Sequence, residues 1–342
     1  MLSLKSLIFL LILLLNSFST SHVVHLNRRN LFNTCWSNCT NQSQVILLYS
    51  KNISTIDPNT FINLTQLEEL QLQYNLLQII NEQTFKIGLI NLKRLFLDNN
   101  QLVNLDSQTF VNLFALEVLG LSNNKLNQIE SFTFKSLTKL WRLTLAHNNL
   151  SFIDSSTFAG LTNVVSMDVS NNHINRISLD DGTFTSNKLA YLYASYNNLL
   201  KIDSSTFRGL FNLKWLELQY NKIITISRET FSNVTTLQYL RLDSNELNDL
   251  NGGHIFDGLE NLLALYLDTN YLSQIDSSSF RGLKMLKHLS LESNLIYRFG
   301  NDSLTQLNEL VTVCLWNNPV SIFNPNSLKN ICKCQIRIKE KC

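Results

Sequence analysis

The side chains best suited to contact another molecule recur at a fixed spacing in the second half of the chain. Tyr191, Trp215 and Tyr239 follow one another at intervals of 24 residues. A parallel series begins two residues later and consists of Tyr193, Glu217, Arg241 and Tyr266. Aromatic residues with a few charges supply most of the binding energy at protein interfaces. The spacing therefore predicts a partner-binding site that works through non-covalent contacts.

The sequence gives no support for catalysis. Its six histidines lie outside motifs such as HExxH, no nucleophile elbow is present, and no glycine-rich loop could hold a phosphate. The formal net charge is +2, with acidic and basic residues mixed along the chain, so a nucleic-acid partner is not expected. We therefore expect a non-catalytic protein without a cofactor or a catalytic metal.

The recurring side chains belong to a 24-residue unit, which is clearest at residues 213–236. Apolar residues occupy unit positions 1, 4, 6, 11, 14, 19 and 22, and an asparagine occupies position 9. This asparagine recurs every 24 or 25 residues, at Asn75, Asn100, Asn124, Asn148, Asn172, Asn197, Asn221, Asn245, Asn270, Asn294 and Asn318. A weaker first copy has Lys51 in its place, which gives eleven units over residues 43–309 and a partial twelfth. Such a period predicts a solenoid in which each unit forms one coil.

Each part of the unit has a predicted place in the coil. The LxxLxL segment predicts a short strand with inward apolar residues, and the residues after it predict a return path to the next parallel strand. The asparagine amide both donates and accepts hydrogen bonds, so we expect the repeated side chains to satisfy the turn backbone as a ladder. The aspartates at position 15 predict caps on a short helical turn, and they are Asp57, Asp106, Asp154, Asp203 and Asp276.

Positions 2, 3, 5, 7 and 8 of the unit are predicted to project outward from the sheet. Eight of the ten tyrosines occupy such positions, and these are Tyr49, Tyr74, Tyr191, Tyr193, Tyr196, Tyr220, Tyr239 and Tyr266. Because neighbouring strands are about 4.8 Å apart, the two series described above form one continuous patch. Its predicted margins contain Lys214, Tyr220, Asp243 and Asp268. Tyrosine also stabilises sheets by packing on its neighbours, so sheet packing is the alternative interpretation.

A second, smaller candidate for partner binding lies earlier on the same face. It consists of Trp141, Arg142 and His147.

The unit resembles the typical repeat of extracellular leucine-rich repeat proteins, which include Slit-like proteins, Toll-like receptor ectodomains and small matrix leucine-rich proteins. The matching pattern is LxxLxLxxNxLxxIxxxxFxxLxx, and it covers most of the chain. The resemblance implies a curved α/β-type repeat solenoid, with a parallel sheet on the concave side and an irregular or short helical convex side. It also implies that partners bind on the concave face.

Cysteines at the two ends predict caps stapled by disulfides, because an open solenoid exposes its core and its sheet edges there. Cys35 and Cys39 lie in the predicted amino-terminal cap, residues 22–42. The predicted partial last repeat and carboxyl-terminal cap, residues 310–342, contain Cys314, Cys332, Cys334 and Cys342. These four allow three pairings, which the spacing leaves open. The usual amino-terminal cap of the family has four cysteines, where this chain has two.

Residues 1–21 have the features of a secretory signal peptide, with Lys5 before a nine-residue apolar segment. No later segment is long and apolar enough to predict a membrane helix. Sequons of the form N-x-S/T make seven asparagines candidates for glycosylation, namely Asn38, Asn41, Asn52, Asn63, Asn149, Asn233 and Asn301. We therefore predict a protein of the extracellular space or matrix.

The function predicted from these features is recognition of an extracellular protein ligand on the concave face. Two alternatives remain open at this point, a structural or adhesive matrix protein and a non-catalytic regulatory subunit of a secreted enzyme. A homodimer is also compatible with the sequence.

Overall fold

The computed structural model describes residues 23–36, 39–178, 188–250, 254–300, 302–319 and 335–337. These residues form a parallel β-solenoid with one short helix, α1 (Leu31–Thr34). Its main sheet has 13 parallel strands, which in order are β2 (Val45–Leu47), β4 (Glu69–Gln71), β5 (Arg94–Phe96), β7 (Val118–Gly120), β9 (Arg142–Thr144), β11 (Ser166–Asp168), β13 (Tyr191–Tyr193), β15 (Trp215–Glu217), β17 (Tyr239–Arg241), β18 (Ala264–Tyr266), β20 (His288–Ser290), β22 (Thr312–Cys314) and β23 (Gln335–Arg337). The predicted repeat solenoid with a parallel sheet on one side is confirmed.

The opposite side of the solenoid contains turns and short strand pairs. Its parallel pairs are β1 (Val24–Leu26) with β3 (Ile53–Ile56), β6 (Asn104–Leu105) with β8 (Gln128–Ile129), β10 (Phe152–Asp154) with β12 (Arg176–Ser178), β14 (Lys201–Ile202) with β16 (Thr225–Ile226), and β19 (Gln274–Ile275) with β21 (Arg298–Phe299). The backbone after each described position-15 aspartate is a turn. The prediction of a helical turn there is therefore wrong.

Four of these aspartates nevertheless make cap-like side-chain hydrogen bonds, and they are Asp106, Asp154, Asp203 and Asp276. Asp203 Oδ1 accepts hydrogen bonds from the backbone N–H and the hydroxyl of Ser205. Asp276 does the same with Ser278. Each carboxylate satisfies backbone donors two or three residues ahead, which is enough to fix a turn without continuing into a helix.

The core consists of the apolar positions that the repeat predicts. In the coil that begins at Leu213, the side chains of Leu213, Leu216 and Leu218 are fully buried. Phenylalanines at position 19 stack from coil to coil, with ring centroids 6.0–6.4 Å apart along Phe61, Phe85, Phe110, Phe134 and Phe158, and again along Phe207, Phe231, Phe256 and Phe280. The burial of these columns requires neighbouring coils, which explains why stability comes from the array.

The asparagines at position 9 connect successive coils through the backbone. Asn221 Nδ2 donates to the carbonyl of Leu218 in its own coil and to that of Ala194 in the preceding coil, both at 3.0 Å. Its Oδ1 accepts from the backbone N–H of Leu199, also at 3.0 Å. All eleven asparagines make the corresponding acceptor bond to the preceding coil, at 2.9–3.1 Å. The predicted ladder therefore exists, and successive amides are connected through the backbone N–H and carbonyl groups that lie between them.

The amino-terminal edge strand of the main sheet contacts the part of the chain that carries a disulfide. Cys35 and Cys39 are joined by an S–S bond of 2.06 Å, and the backbone N–H of Trp36 donates to the edge strand at Leu47. Lys51, which replaces the asparagine in this coil, places its ammonium 3.4 Å from the Trp36 ring centroid. A cation–π contact thus occupies the site where the ladder begins.

The carboxyl-terminal cap is only partly described. Cys314, at the end of β22, is disulfide-bonded. The other three predicted cap cysteines, Cys332, Cys334 and Cys342, lie outside the described residues.

One carboxylate, that of Asp98, lies against the outer surface of the main sheet. Asp98 accepts a 2.8 Å hydrogen bond from the backbone N–H of Ser122, and a Cβ added to Gly120 would lie 2.1 Å from its Oδ2. Burial is the main reason that the pKa of Asp98 is raised above 3.8, although hydrogen bonds from Ser122 and Thr144 act in the opposite direction. The glycine therefore provides the space for a carboxyl group that is partly removed from water.

The first prediction concerns the asparagine ladder. Asn221→Ala is expected to lower the stability of the fold by about 3 kcal/mol or more, because it leaves a buried N–H and two buried carbonyls without their amide partner. The midpoint of urea unfolding measures this effect. Asn127→Ala is the matched control, since that side chain is exposed. Equal midpoints for the two variants would show that the ladder does not hold the coils together.

The second prediction concerns two aspartates whose pKa values shift in opposite directions. The folded state raises the pKa of Asp98, so protonation stabilises the fold, and stability relative to Asp98→Asn should fall as the pH rises from 3.8 towards neutrality. Hydrogen bonds from Ser205 lower the pKa of Asp203, so stability relative to Asp203→Asn should be full above 3.8 and lost as the pH falls below it.

Urea unfolding of the two variants and the unsubstituted protein, at pH values below and above 3.8, measures how the stability difference changes with pH for each aspartate. The same sign of slope for both aspartates would contradict the assignment of their environments.

Candidate partner-binding face

The strand register brings all seven predicted binding residues together on the outer side of the main sheet, here called the sheet face. Tyr191 lies beside Trp215, which lies beside Tyr239. The second row runs across these three strands and the next one, β18, and contains Tyr193, Glu217, Arg241 and Tyr266. These seven residues are called the aromatic patch below. Their proximity follows from the repeat period, whereas their role in binding stays a prediction.

The central rings of the aromatic patch are held in place by their neighbours. The rings of Trp215 and Tyr239 stack with centroids 4.4 Å apart and an interplanar angle of 29°. The indole Nε1–H of Trp215 donates a 2.8 Å hydrogen bond to Glu217 Oε1. Tyr191, at the end of the row, is 39% exposed. A ring that is already fixed loses little conformational entropy when a partner covers it, so this arrangement suits binding.

The arginine of the aromatic patch has partners within the chain. Arg241 donates from Nε and from a terminal nitrogen to the two carboxylate oxygens of Asp243, at 3.0 Å each. Its guanidinium carbon also lies 5.6 Å from the ring centroid of Tyr266. The charge of Arg241 is therefore balanced by a buried carboxylate, and its flat face packs on an aromatic ring.

Electrostatic interactions across the sheet face involve several carboxylates. The pKa of Tyr193 is raised by burial and then by the charges of Glu217 and Asp168. The pKa of Tyr266 is raised chiefly by burial, with Asp268 and other neighbours adding to the shift and Arg241 opposing it. Both hydroxyls consequently keep their protons at neutral pH and can donate hydrogen bonds to a partner.

A further aromatic pair lies at the end of the same strands; Tyr220 was predicted at the margin of the patch and Tyr196 on the same face, but their stacking was not predicted. Tyr196 and Tyr220 stack with ring centroids 4.2 Å apart and an interplanar angle of 8°, and nearly half of each side chain is exposed. Both backbones have a positive φ, 53° and 55°. Bulky residues rarely adopt this conformation because it is strained. Position 8 has a positive φ in every coil and carries asparagine, serine, threonine or histidine in most of them, so the two successive tyrosines there are a signal that the sequence already contained.

The second predicted candidate lies two strands away from the aromatic patch. Arg142 is the first residue of β9, Trp141 is the residue before it, and His147 lies in the turn that follows. All three side chains are exposed. The strand β11, which presents Ser166 and Asp168, separates them from Tyr191. The two candidates therefore form separate surfaces.

The described glycosylation candidates are all exposed. They are Asn41, Asn52, Asn63, Asn149 and Asn233. Asn63 and Asn233 lie in turns on the return path, away from the sheet face. Asn38 and Asn301 lie outside the described residues. Glycosylation stays a prediction at each of the seven.

Metal binding and membrane insertion both depend on features that can be recognised in the described part of the chain. No group of three or more histidine, cysteine or acidic side chains there is arranged to hold a metal ion. No helix in the same residues is long and apolar enough to cross a membrane.

Known proteins share this architecture. The TLR13–ssRNA13 complex contains a chain that is 23% identical, with a TM-score of 0.70 over 92% of this chain and 49% of that one. In the Toll–Spatzle complex from Drosophila the corresponding values are 20% and 0.73, over 85% and 42%. The chain thus spans about half the length of these two relatives. At such identities the likeness shows the fold alone.

A bacterial protein matches over more of its own length. The leucine-rich repeat protein from Leptospira interrogans is 25% identical, with a TM-score of 0.72 over 94% of this chain and 79% of that one. No curated protein matches the sequence.

The sequence of the repeats identifies the family. The sequence model described as leucine rich repeat matches residues 44–86, 90–150, 139–199, 187–247, 236–296 and 260–320, which together cover most of the chain. The described residues within these ranges form the coils of the solenoid. The protein belongs to the leucine-rich repeat family.

Proposed function

We propose that this protein is a non-catalytic recognition protein that holds a protein ligand on its sheet face, with the aromatic patch at the centre of the contact. One observation carries the proposal: seven residues from four successive coils form a continuous, partly exposed surface whose central rings are already stacked. Leucine-rich repeat proteins generally serve as binding scaffolds, and the structure of Toll with Spatzle is a complex of two proteins. The family therefore supports a binding role, and the patch supports the proposal that binding occurs on the sheet face.

The charge of the sheet face favours a protein ligand over a nucleic acid. Positions 5 and 7 of strands β11 to β20 and the turns after them carry five carboxylates and one arginine, which are Asp168, Glu217, Asp243, Asp268, Glu292 and Arg241. Nucleic-acid binding depends on lysines and arginines that neutralise phosphates. A surface with an excess of carboxylates repels a phosphate backbone. The TLR13 structure contains ssRNA13, so the fold itself does not exclude RNA, and it is the charge of this sheet face that disfavours RNA here.

We further propose that the protein is secreted. Two observations support this: the disulfide between Cys35 and Cys39, a bond typical of oxidising compartments, and the exposure of all five described sequon asparagines.

The test of the proposed function compares the unsubstituted protein with a double variant and a control variant in a pull-down from the extracellular fluid of the source, with partners identified by mass spectrometry. The double variant Trp215→Ala, Tyr239→Ala removes the stacked rings at the centre of the patch. It is expected to weaken binding by about 2 kcal/mol or more, roughly thirtyfold, because interface aromatics are frequent hot spots. Secretion and the thermal unfolding midpoint should change little, because both rings lie on the outside of the sheet.

Tyr74→Ala is the matched control, since Tyr74 is an exposed aromatic residue outside both candidate surfaces. A partner that is lost only from the double variant supports the proposal. The same partners recovered with all three proteins would mean that the aromatic rings serve only to pack the sheet, and the proposed site would be wrong.

A further inference from the structure

The proposed function does not specify what the protein ligand must present to the sheet face. Resting on that function, we infer that the partner contributes a basic segment, with a lysine or arginine side chain that enters an acidic and aromatic cavity next to the aromatic patch. The inference follows from the distribution of charge, the hydrogen bonds of the carboxylates and the shape of the surface.

The sheet face is opposite in charge to the rest of the chain. The whole chain carries a formal net charge of +2. Positions 5 and 7 from β11 to β20 carry five carboxylates against one arginine. The nearest lysines on the same strands, Lys214 and Lys287, lie at position 2, which is about 10 Å along the strand from position 5. An acidic band therefore crosses the carboxyl-terminal half of the face.

Two of these carboxylates are hydrogen-bonded only to neutral donors in the described residues. Glu217 accepts from the indole of Trp215 and the amide of Gln219. Asp268 accepts from the hydroxyl of Ser290 and from the backbone N–H of Glu292 at 3.0 Å. Neutral donors fix the position of a carboxylate and leave its charge in place. The band can therefore still attract a cation.

The cavity lies where this band meets partly exposed rings. Its volume is about 490 Å³, and its lining includes Tyr266, Asp268, His288, Glu292 and Trp316. Burial raises the pKa of Asp268, and the charges of Asp243 and Glu292 raise it further. A negative charge that is crowded and partly buried gains most from an arriving cation, while the faces of the rings offer cation–π contacts.

The protein already holds one cationic side chain in this way. The guanidinium of Arg241 packs on Tyr266 and makes two hydrogen bonds to Asp243. On the other side of Tyr266, the cavity offers the same combination of an aromatic ring and position-7 carboxylates. The carboxylates there are Asp268 and Glu292. This internal example shows that a guanidinium suits the surface chemically. Because Tyr266 belongs to both the patch and the cavity, one partner can cover the rings and place a basic side chain beside them.

A matched pair of aspartates makes a sharp test. Asp268 and Asp98 both occupy position 7, both are mostly buried, and each accepts a hydrogen bond from the backbone N–H of the residue 24 positions later. Asp268→Asn and Asp98→Asn are therefore the same isosteric change with the same loss of charge. Only Asp268 lines the cavity.

The probe is a short fluorescent peptide of alternating arginine and serine, together with the same peptide in which citrulline replaces arginine. Fluorescence anisotropy with the full chain at neutral pH measures affinity, and thermal unfolding of each variant checks its fold. We expect the arginine peptide to bind, the citrulline peptide not to bind, and Asp268→Asn to weaken arginine-peptide binding about tenfold or more while Asp98→Asn leaves it unchanged. Should Asp268→Asn unfold, Tyr266→Leu is the substitute and should weaken binding similarly.

Three results would each overturn the inference: an arginine peptide that does not bind, a citrulline peptide that binds equally well, or equal losses in the two aspartate variants. The same two variants, applied to the pull-down, separate this inference from the proposed function. A partner that is lost with Trp215→Ala, Tyr239→Ala but retained by Asp268→Asn would leave recognition at the aromatic patch standing and the basic segment refuted.

Discussion

The hydrogen-bonded amide of one asparagine per coil is the interaction on which the rest of this structure depends. Each amide satisfies a carbonyl in its own turn and both a carbonyl and an N–H of the coil before it, in a place that water does not reach, as Asn221 illustrates. Because the bonds connect neighbouring coils at a fixed offset, they set the register of the parallel strands. That register in turn aligns the leucines and phenylalanines of the core into columns. Neither the core nor the sheet face would exist in a single coil.

The core packing and the ladder hydrogen bonds of each coil are provided by its inward side chains, so the outer side chains can serve another purpose. The core and the ladder use positions 1, 4, 6, 9, 11, 14, 19 and 22, so positions 3, 5, 7 and 8 can vary from coil to coil. In the second half of the sheet they carry stacked rings and carboxylates. Tyr196 and Tyr220 have a strained backbone conformation that the fold does not require of tyrosine. Residues that cost stability and contribute little to the core are expected where a surface has been selected for contact.

Much of this could be predicted from the sequence, because the period alone fixes which residues are neighbours. Trp215 and Tyr239 are 24 residues apart, so a parallel register places them side by side. Side-chain orientation follows no such rule: the bond from Trp215 to Glu217 and the stacking of Tyr196 on Tyr220 depend on local packing. The aspartates at position 15 show a similar limit, since a turn and the first turn of a helix accept the same capping hydrogen bonds. The cavity beside Tyr266 was also beyond prediction, because its shape depends on three coils together.

The central claim is that a partner protein covers the rings of the aromatic patch. Hydroxyl-radical footprinting of the intact protein, with and without a purified partner, tests it most directly because the modification is read at individual tyrosines and tryptophans. The account predicts strong protection of Tyr191, Trp215 and Tyr239, and unchanged modification of Tyr74 and Tyr297, which are exposed elsewhere on the solenoid. Unchanged modification of the three patch residues, with protection confined to other surfaces, would contradict it.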